Sequence, residues 1–253
     1  MGRRDPRAWL HTAKEAAYRA GCYLSKREAG AMAIEQSTHH DLKIAADKQS
    51  EHIILTYLQD HSQFPVLTEE SGLIPARRKA ERLRWIVDPL DGTINYTTGI
   101  PFSCVSVALW EERHPLLGVV YDFNRNELFS GIVGEGAWAN DESITVSQVT
   151  AKSGAIVLTG FPVATDFSTG ALLEFVESIQ TFKKIRLLGS AALSLAYVAA
   201  GRVQGYREKD IKIWDVAAGM ALVLAAGGSI RTSFSDDGET LLLSAGCSKP
   251  IVS

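Results

Sequence analysis

The stretch that most constrains the fold and chemistry of this chain is Trp85 to Tyr96, with the sequence WIVDPLDGTINY. The apolar run that opens it stops at Asp88, and the alternation of its side chains predicts a mostly buried strand. Pro89 cannot extend such a strand, and Gly92 permits backbone angles that other residues resist. We therefore expect a tight turn that carries Asp88 and Asp91 at the end of a buried strand.

Two carboxylates so close together repel each other unless a proton or a cation lies between them. Asp, Pro and Gly are also ordinary turn residues, so the turn alone does not distinguish a metal site from a surface turn. Other acids strengthen the case for a metal: Glu69 and Glu70 lie upstream in VLTEESG, and Asp215 opens an apolar helical pattern in WDVAAG. Together these separated acidic residues predict a site for a divalent cation.

Composition narrows the class of protein. The 253 residues suffice for one large domain or two packed lobes, and 46% apolar with 22% charged residues is typical of a globular protein. A net charge of -3 gives no reason to expect nucleic acid or an anionic membrane as partner.

Features of the cysteines and of the chain start bear on its location. Cys22, Cys104 and Cys247 are odd in number and widely spaced, which favours buried free thiols in a reducing compartment. No signal-peptide pattern opens the sequence, and the longest apolar run, Val216 to Gly228, is shorter than the ~20 residues of a membrane span. We expect a cytoplasmic protein with no membrane partner.

Helical patterns dominate the first part of the chain. Asp5-Pro6 is typical of a helix start, and apolar residues then recur at helical spacing to about Glu28. The segment 31–46 has no clear period, so both a loop and a short hairpin stay open. Asp47 precedes a second helical pattern and, taken alone, is typical of an N-cap.

Strands and helices mix in the remainder. From Phe102 to Val146, short apolar runs alternate with turn residues, which predicts an antiparallel meander. The helix that begins at Trp214-Asp215 is apolar on nearly every face and is predicted to be buried, with Gly227-Gly228 at its end. Solvated segments are predicted at His39-His40 and in the basic run 76–84. Other predicted elements are strands near 155–159, 184–187, 229–232 and 241–243 and helices near 169–180 and 191–200. This order predicts layered α/β sandwiches of two lobes.

Several long motifs follow one another over nearly the whole chain: DLKIAAD, VLTEESG, WIVDPLDGTINY, GVVYDFNRNELF, GEGAWAN, LGSAALSLAYVAAG and GYREKDIKIWDVAAGMALVLAAGG. In this order they resemble the inositol monophosphatase family of metal-dependent phosphatases. The resemblance implies a layered αβαβα sandwich. Residues 1–146 would form an N-terminal α+β lobe with most metal ligands, and 147–253 a C-terminal α/β lobe with Asp215 and the substrate contacts.

The resemblance also implies two Mg²⁺ ions, with a third, weaker ion near Glu69. Glu69, Asp88 and the carbonyl of Leu90 would hold the first ion. Asp88, Asp91 and Asp215 would hold the second, with Asp88 bridging. Mg²⁺ prefers hard oxygen ligands. A pair of such ions can activate a water and stabilise the leaving oxygen of a phosphate ester.

Catalytic and substrate residues are implied in the same way. Asp47, Glu69 and Thr93 would serve catalysis, with Asp47 and the Thr93 hydroxyl orienting or deprotonating the water. Gly92 and Thr93 would offer backbone N–H groups to the phosphate.

The far end of the substrate would be bound at a helix N-terminus and by an acid. Gly189, Ser190 and Ala191 enter the predicted helix, a favourable place for oxygen-rich ligands, although Ser190 is equally typical of a simple N-cap. Glu208 matches, by its spacing to Asp215, the family's acid for substrate hydroxyls; an ordinary surface acid is the alternative. The implied substrate is a small phosphorylated polyol or sugar. The resemblance also implies that lithium inhibits the activity and that the protein forms a homodimer.

The sequence departs from the usual family pattern at Gln36, Lys43-Ile44, Thr68 and Thr98, which puts substrate preference in doubt. Ile94-Asn95-Tyr96 follows the turn where phosphatases of adenosine 3′,5′-bisphosphate have Lys-Glu-Phe. That activity, histidinol-phosphate hydrolysis and a non-catalytic partner role stay open as alternatives. A haloacid-dehalogenase phosphatase is disfavoured, because its paired aspartates are two apart and these are three apart.

Overall fold

The structure is a computed structural model that describes residues 5–27, 34–37, 42–76, 82–161 and 165–253, with the backbone alone at 34–37 and 42–43. The predicted solvated histidines, His39 and His40, lie outside the described residues, as does most of the basic run 76–84. The side chains of Gln36 and Lys43 lie outside them too.

Two helices form the first layer: α1 (Pro6–Leu24) and α2 (Ala45–His61). Asp5 caps α1 by accepting hydrogen bonds from the N–H groups of Arg7 and Ala8. The helix ends at Leu24, a turn earlier than predicted. Between the helices, strands β1 (Ile34–Ser37) and β2 (Leu42–Ile44) pair antiparallel, so the hairpin alternative for this segment is correct.

An eight-stranded sheet is the second layer, and α1 and α2 cover one of its faces. The predicted meander is confirmed, because strands β5 to β10 pair antiparallel with their chain neighbours. Strand β3 pairs parallel with β5, and β4 forms the edge. The strands are β3 (Val66–Thr68), β4 (Gly72–Ile74), β5 (Leu83–Asp91), β6 (Cys104–Glu111), β7 (His114–Asp122), β8 (Glu127–Ile132), β9 (Gly136–Ala139) and β10 (Glu142–Ile144).

The predicted end of β5 at Asp88 is wrong, because the strand continues through Pro89 to Asp91. Asp88 lies opposite Ser106 and Asp91 opposite Cys104, so β5 has one more residue than β6 in this interval. Such a bulge leaves a residue outside the ladder, which tolerates a proline that has no N–H to donate. The extra residue also shifts the side-chain alternation by one, so residues three apart can face the same side.

The second half of the chain adds a five-stranded sheet with strand order β12-β11-β13-β15-β14. A short helix, α3 (Thr93–Thr98), follows β5. The later elements are β11 (Ile156–Thr159), α4 (Thr169–Ile179), β12 (Lys184–Leu187), α5 (Ala191–Ala199), β13 (Gly205–Lys212), α6 (Ile213–Ala225), β14 (Ser229–Phe234), β15 (Thr240–Gly246) and α7 (Lys249–Val252). Strand β13 was not predicted from the sequence.

Helices α5 and α6 lie between the two sheets and complete the αβαβα order with α4 on the far side. The main core joins both helices to both sheets, as predicted for the apolar helix at Asp215. The indole N–H of Trp110 on β6 donates to the carbonyl of Ala217 at 3.3 Å, which ties α6 to the large sheet. Phe175 of α4 and Val157 of β11 line one cavity of about 210 Å³, which places α4 beside the small sheet.

Candidate active site

A cleft of about 600 Å³ lies where β5, β13 and the first turns of α3, α5 and α6 meet. Each of the predicted site residues except Asp47 lines it: Glu69, Asp88, Leu90, Asp91, Gly92, Thr93, Gly189, Ser190, Ala191, Glu208 and Asp215. The fold therefore assembles one cleft from residues that are widely separated in the sequence.

Three carboxylates converge at the base of this cleft. Glu69 lies in the loop between β3 and β4, Asp88 on β5, and Asp215 in the first turn of α6. One oxygen from each of these three side chains lies within 4.8 Å of the others. Asp88 is buried, whereas Glu69 and Asp215 are partly exposed. The oxygens of Asp91 are not part of this tight group, although Asp91 lines the same cleft.

The electrostatics of the cluster favour a bound positive charge. Burial, together with the neighbouring carboxylates, raises the pKa of Asp88 well above its usual range. Desolvation and the charges of Glu69, Asp91 and Glu208 raise the pKa of Asp215 well above its usual range. Burial raises the pKa of Asp91 to about 6, against the lowering effect of its hydrogen bonds. Acids held this way bind protons or a cation, because each charge stabilises a positive neighbour.

Asp91 is tied to the start of α5. Its Oδ2 accepts hydrogen bonds from the Ser190 hydroxyl at 2.5 Å and from the Ala192 N–H at 2.7 Å. Ser190 also caps the helix, because its hydroxyl accepts from the Leu193 N–H at 3.2 Å. Asp91 therefore binds one of the free N–H groups at the start of α5. The sequence predicted that this end of the helix binds the substrate and did not indicate the contact with Asp91.

Asp47 lies within α2 rather than at its N-cap, so the N-cap prediction is wrong. The helix begins at Ala45, and the carboxylate reaches back to accept the N–H of Ile44 at 2.7 Å. The hydroxyl of Thr93 lies 3.5 Å from Asp47 and donates more closely, at 3.0 Å, to the Leu90 carbonyl. Asp47 thus contacts the cleft through Thr93.

Asn95 on α3 holds the two halves of the cleft together. Its side-chain NH₂ donates to the carbonyls of Phe102 at 2.8 Å and Leu188 at 2.7 Å. On α2, the Ser50 hydroxyl donates to the carbonyl of Pro89 at 2.7 Å, behind the bulge. Sequence reasoning missed both residues, because a polar side chain on a helix gives no local signal of a partner that is distant in the chain.

Glu208 is buried on β13, beside the carboxylate cluster. The hydroxyl of Tyr206 donates to its Oε2 at 2.5 Å. Burial, against this hydrogen bond, raises the pKa of Glu208 to about 7. Tyr206 was missed, although its spacing gave a signal: residues two apart on a strand share a face.

Comparison with known proteins agrees with the motifs. The sequence model of the inositol monophosphatase family matches residues 5–247. The chain belongs to the inositol monophosphatase family. This assignment confirms the resemblance that the motifs indicated.

Relatives called Nus factor SuhB are similar to this family member. The protein of Pasteurella multocida is 38% identical over 226 residues, which cover 87% of this chain and 84% of the relative. The protein of Escherichia coli strain K12 is 37% identical over 225 residues, covering 87% and 84%.

Solved structures of the family confirm the layered fold. The inositol monophosphatase of an Anabaena (Nostoc) species gives a TM-score of 0.80 at 34% identity, covering 95% of this chain and 92% of that one. The extragenic suppressor protein suhB of Bartonella henselae gives 0.85 at 34% identity, covering 96% and 95%.

The carboxylate cluster of this inositol monophosphatase family member fits Mg²⁺. Oxygens on opposite sides of an octahedral Mg²⁺ ion are about 4.2 Å apart, since each lies at 2.0–2.1 Å from the ion. The oxygens of Glu69, Asp88 and Asp215 lie within 4.8 Å of one another, a little beyond that span, and as hard carboxylate oxygens they are of the type that Mg²⁺ prefers.

The three cysteines are free thiols. Cys104 and Cys247 are buried as predicted, whereas Cys22 is partly exposed. In the part of the chain that the structure describes, each helix is too short or too polar to cross a membrane.

Proposed function

We propose that this chain is a Mg²⁺-dependent phosphatase that hydrolyses a small phosphate monoester, most simply an inositol or sugar monophosphate. The observation that carries the proposal is the convergence of Glu69, Asp88 and Asp215 within 4.8 Å at the base of a cleft. Membership of the inositol monophosphatase family supports the same reaction class.

Mg²⁺ would be held by the carboxylates and one carbonyl. Glu69, Asp88 and the Leu90 carbonyl would hold one ion, and Asp88, Asp91 and Asp215 a second, with Glu69 near a weaker third position. Bound Mg²⁺ supplies charge neutralisation at the phosphate and a more acidic water.

The chain's own groups orient the reactants. The Thr93 hydroxyl lies between Asp47 and the Leu90 carbonyl. It would accept a hydrogen bond from the attacking water and pass its own proton to the Asp47 carboxylate as the water gives up a proton. Backbone N–H groups of Gly92 and Thr93 bind phosphoryl oxygens. No side chain is required to attack phosphorus, because the water does so in line with the leaving oxygen.

Glu208 recognises the leaving group. Its carboxylate faces the cleft and is oriented by Tyr206. A carboxylate accepts hydrogen bonds from neighbouring hydroxyls and offers none to a flat apolar ring. Gly189, Ser190 and Ala191 line the same cleft as this acid and the cluster, so a polyol or sugar phosphate is the substrate class that best uses all of these groups.

The first test measures phosphate release from a panel of monophosphates with Mg²⁺ or excess EDTA. The panel contains inositol and sugar monophosphates, adenosine 3′,5′-bisphosphate, histidinol phosphate and an aryl phosphate. We expect turnover with Mg²⁺ alone and its loss in Asp88→Asn, which removes the charge shared by both ion positions while keeping the side-chain shape. Undiminished turnover in EDTA or in Asp88→Asn would refute the assignment.

The second test separates recognition from catalysis. At pH 8, above the Glu208 pKa of about 7, Glu208→Gln is expected to lower kcat/KM for a polyol phosphate about ten- to a hundredfold, because a hydrogen bond to a charged group contributes about 1.5–3 kcal/mol. The aryl phosphate serves as control and should lose much less, since it makes no such bond. Equal losses on both substrates would assign Glu208 to the fold or the metals, and the polyol proposal would then fail.

Lithium inhibition follows from the weak third position near Glu69. A singly charged, strongly hydrated ion is expected to compete there at millimolar concentrations, on the order set by weak carboxylate sites. Inhibition is measured as the fall in phosphate release with added LiCl, with NaCl as the matched salt. An unchanged rate would contradict the proposed third ion position, and the proposal for the first two ions would stand.

A partner-binding role is the second candidate function. Relatives called Nus factor SuhB favour it. The small-sheet side of the molecule exposes the apolar side chains of Phe161, Phe167, Leu172, Leu173, Val176 and Leu187, which could bind a partner.

We also propose that the protein is cytoplasmic and forms a homodimer through this surface. The test compares the sedimentation of Leu173→Glu with that of the unmodified chain. Asp88→Asn separates catalysis from binding, because it leaves this surface intact.

A further inference from the structure

A carboxylate outside the cleft holds the loop that carries Glu69. Glu51 on α2 is 5% exposed, and both of its oxygens are occupied. Its Oε1 accepts from the Thr68 hydroxyl at 2.9 Å and from the Ser71 N–H at 3.0 Å. Its Oε2 accepts from the Ser71 hydroxyl at 2.6 Å. Glu51 therefore binds the residues on both sides of the Glu69-Glu70 pair.

The loop in question has little support of its own. Strands β3 and β4 pair from Val66 to Thr68 and from Gly72 to Ile74, so Glu69, Glu70 and Ser71 form a three-residue hairpin loop. Gly72 has φ +68°, the left-handed residue that such loops require. Among the described strands, β4 is the edge of the sheet and pairs with β3 alone. Loops at sheet edges open locally more easily than central strands.

The hydrogen bonds to Glu51 restrain this loop from both ends. Thr68 is fully buried, and it is the last residue of β3 before Glu69. Ser71 follows Glu70 and closes the loop. One carboxylate on a long helix thus fixes the backbone on either side of Glu69, while Asp88 and Asp215 are already fixed by a central strand and a buried helix.

We propose that Glu51 is a positioning residue that holds Glu69 in place for Mg²⁺ before the ion binds, with Thr68 and Ser71 as its two attachment points. This inference rests on the proposed function, in which Glu69 binds Mg²⁺. Residues that orient a metal ligand typically contribute 10–100-fold in metal affinity. The expected defect is in metal binding, not in the reaction at saturating metal.

The test is calorimetric titration of Mg²⁺ into protein stripped with EDTA and desalted, without substrate. Thr68→Val keeps the shape of the side chain and removes its hydroxyl; we expect Mg²⁺ to bind about tenfold more weakly. Thr68→Ser restores the hydroxyl and should restore the affinity. Ser168→Ala, which removes a hydroxyl-to-carboxylate hydrogen bond to Asp166 at 3.1 Å outside the cleft, is the matched control and should bind Mg²⁺ normally.

Steady-state kinetics give a second measurement that distinguishes positioning of Glu69 from general support of the fold. The Mg²⁺ concentration for half-maximal phosphate release should rise about tenfold in Thr68→Val, with kcat at saturating Mg²⁺ nearly unchanged. Glu51→Ala should have a larger effect; if it does not fold, Thr68→Val decides alone.

The outcomes separate this inference from the proposed function. If the unmodified chain binds no Mg²⁺, both fail. If it binds Mg²⁺ and Thr68→Val titrates identically, the positioning role of Glu51 is overturned and the phosphatase proposal stands.

Discussion

Gly92 shows how tightly single residues are fitted around the cleft. Its φ is +86°, and a Cβ built on it would lie 2.9 Å from the carbonyl oxygen of Phe102 and 3.1 Å from that of Gly189. A side chain is therefore excluded twice, once by the backbone conformation and once by space. The closeness of these backbones is what lets β5 and the start of α5 share one cleft.

Gly134 offers a matched comparison, since its φ is +89° and a Cβ there would meet nothing within 4 Å. Gly134→Ala is expected to lower the free energy of unfolding by about 1–2 kcal/mol through conformational strain alone. Gly92→Ala should cost a further ~1–3 kcal/mol because neighbouring backbone must move, and should lower kcat/KM as well. Denaturant unfolding and phosphate release measure both. Equal effects of the two substitutions would contradict the close packing at Gly92.

Two strands that border the cleft carry bulges, and this is the main reason why sequence reasoning reached only part of the site. In β5 the bulge falls between Asp88 and Asp91, and in β13 it falls between Glu208 and Ile211, each with one extra residue against its partner. A bulge breaks the two-residue period on which strand prediction depends. Asp210, within the second bulge, has φ +61°.

The bulge in β13 can be tested through Asp210. Aspartate tolerates a left-handed backbone, whereas a β-branched residue does not. Asp210→Val is therefore expected to lower the free energy of unfolding by about 2 kcal/mol, and Asp210→Asn to change it by less than about 0.5 kcal/mol. Lys209→Val, at the exposed neighbouring position, is the control and should be nearly neutral because strands favour valine. A tolerated Asp210→Val would mean that β13 runs without the bulge.

Elements with an unbroken apolar period were predictable from sequence. Helix α1, the meander and the buried helix α6 follow their patterns closely, because burial of one face dictates those patterns. Strand β13 was missed because Glu208, a charged residue, occupies an inward position. Thr68 could be recognised only as a departure from the family pattern; its hydrogen bond to Glu51, seventeen residues earlier, depends on tertiary structure. The roles of the predicted site residues stay predictions.

At the scale of the whole molecule, the carboxylate cluster of Glu69, Asp88 and Asp215 brings together parts of the chain that lie in different layers. Asp88 lies on a strand of the large sheet and Glu69 in a hairpin loop at its edge, whereas Asp215 belongs to a helix between the sheets. The described strands of the large sheet end at Ile144 and those of the small sheet begin at Ile156, on either side of the predicted lobe boundary at 146. We propose that Mg²⁺ bound at the cluster stabilises the assembled layers as well as serving the reaction.

We expect Asp88→Asn to be more thermally stable than the unmodified chain without metal, and less stable than the unmodified chain with Mg²⁺. The pKa of Asp88 is raised in the folded chain, so folding favours its neutral form; the associated stability is present below the unfolded pKa and is lost as pH rises through the folded pKa. At pH 8 in EDTA, Asp88→Asn should therefore melt at a higher temperature than the unmodified chain. Below about pH 3, where Asp88 is protonated in both the folded and the unfolded chain, this difference should vanish.

Adding Mg²⁺ should raise the melting temperature of the unmodified chain alone. At a hundredfold excess over Kd, binding contributes about 2.7 kcal/mol, or roughly 5–10 °C for a chain of this length. Asp88→Asn, which lacks the shared charge, should shift little, so the unmodified chain becomes the more stable of the two. Ca²⁺-free NaCl at matched ionic strength controls for screening of the repulsive carboxylates. If Mg²⁺ raised the melting temperature of Asp88→Asn as much as that of the unmodified chain, Asp88 would not be the shared ligand. The two shifts differ only if the substitution removes a bound ion's stabilisation.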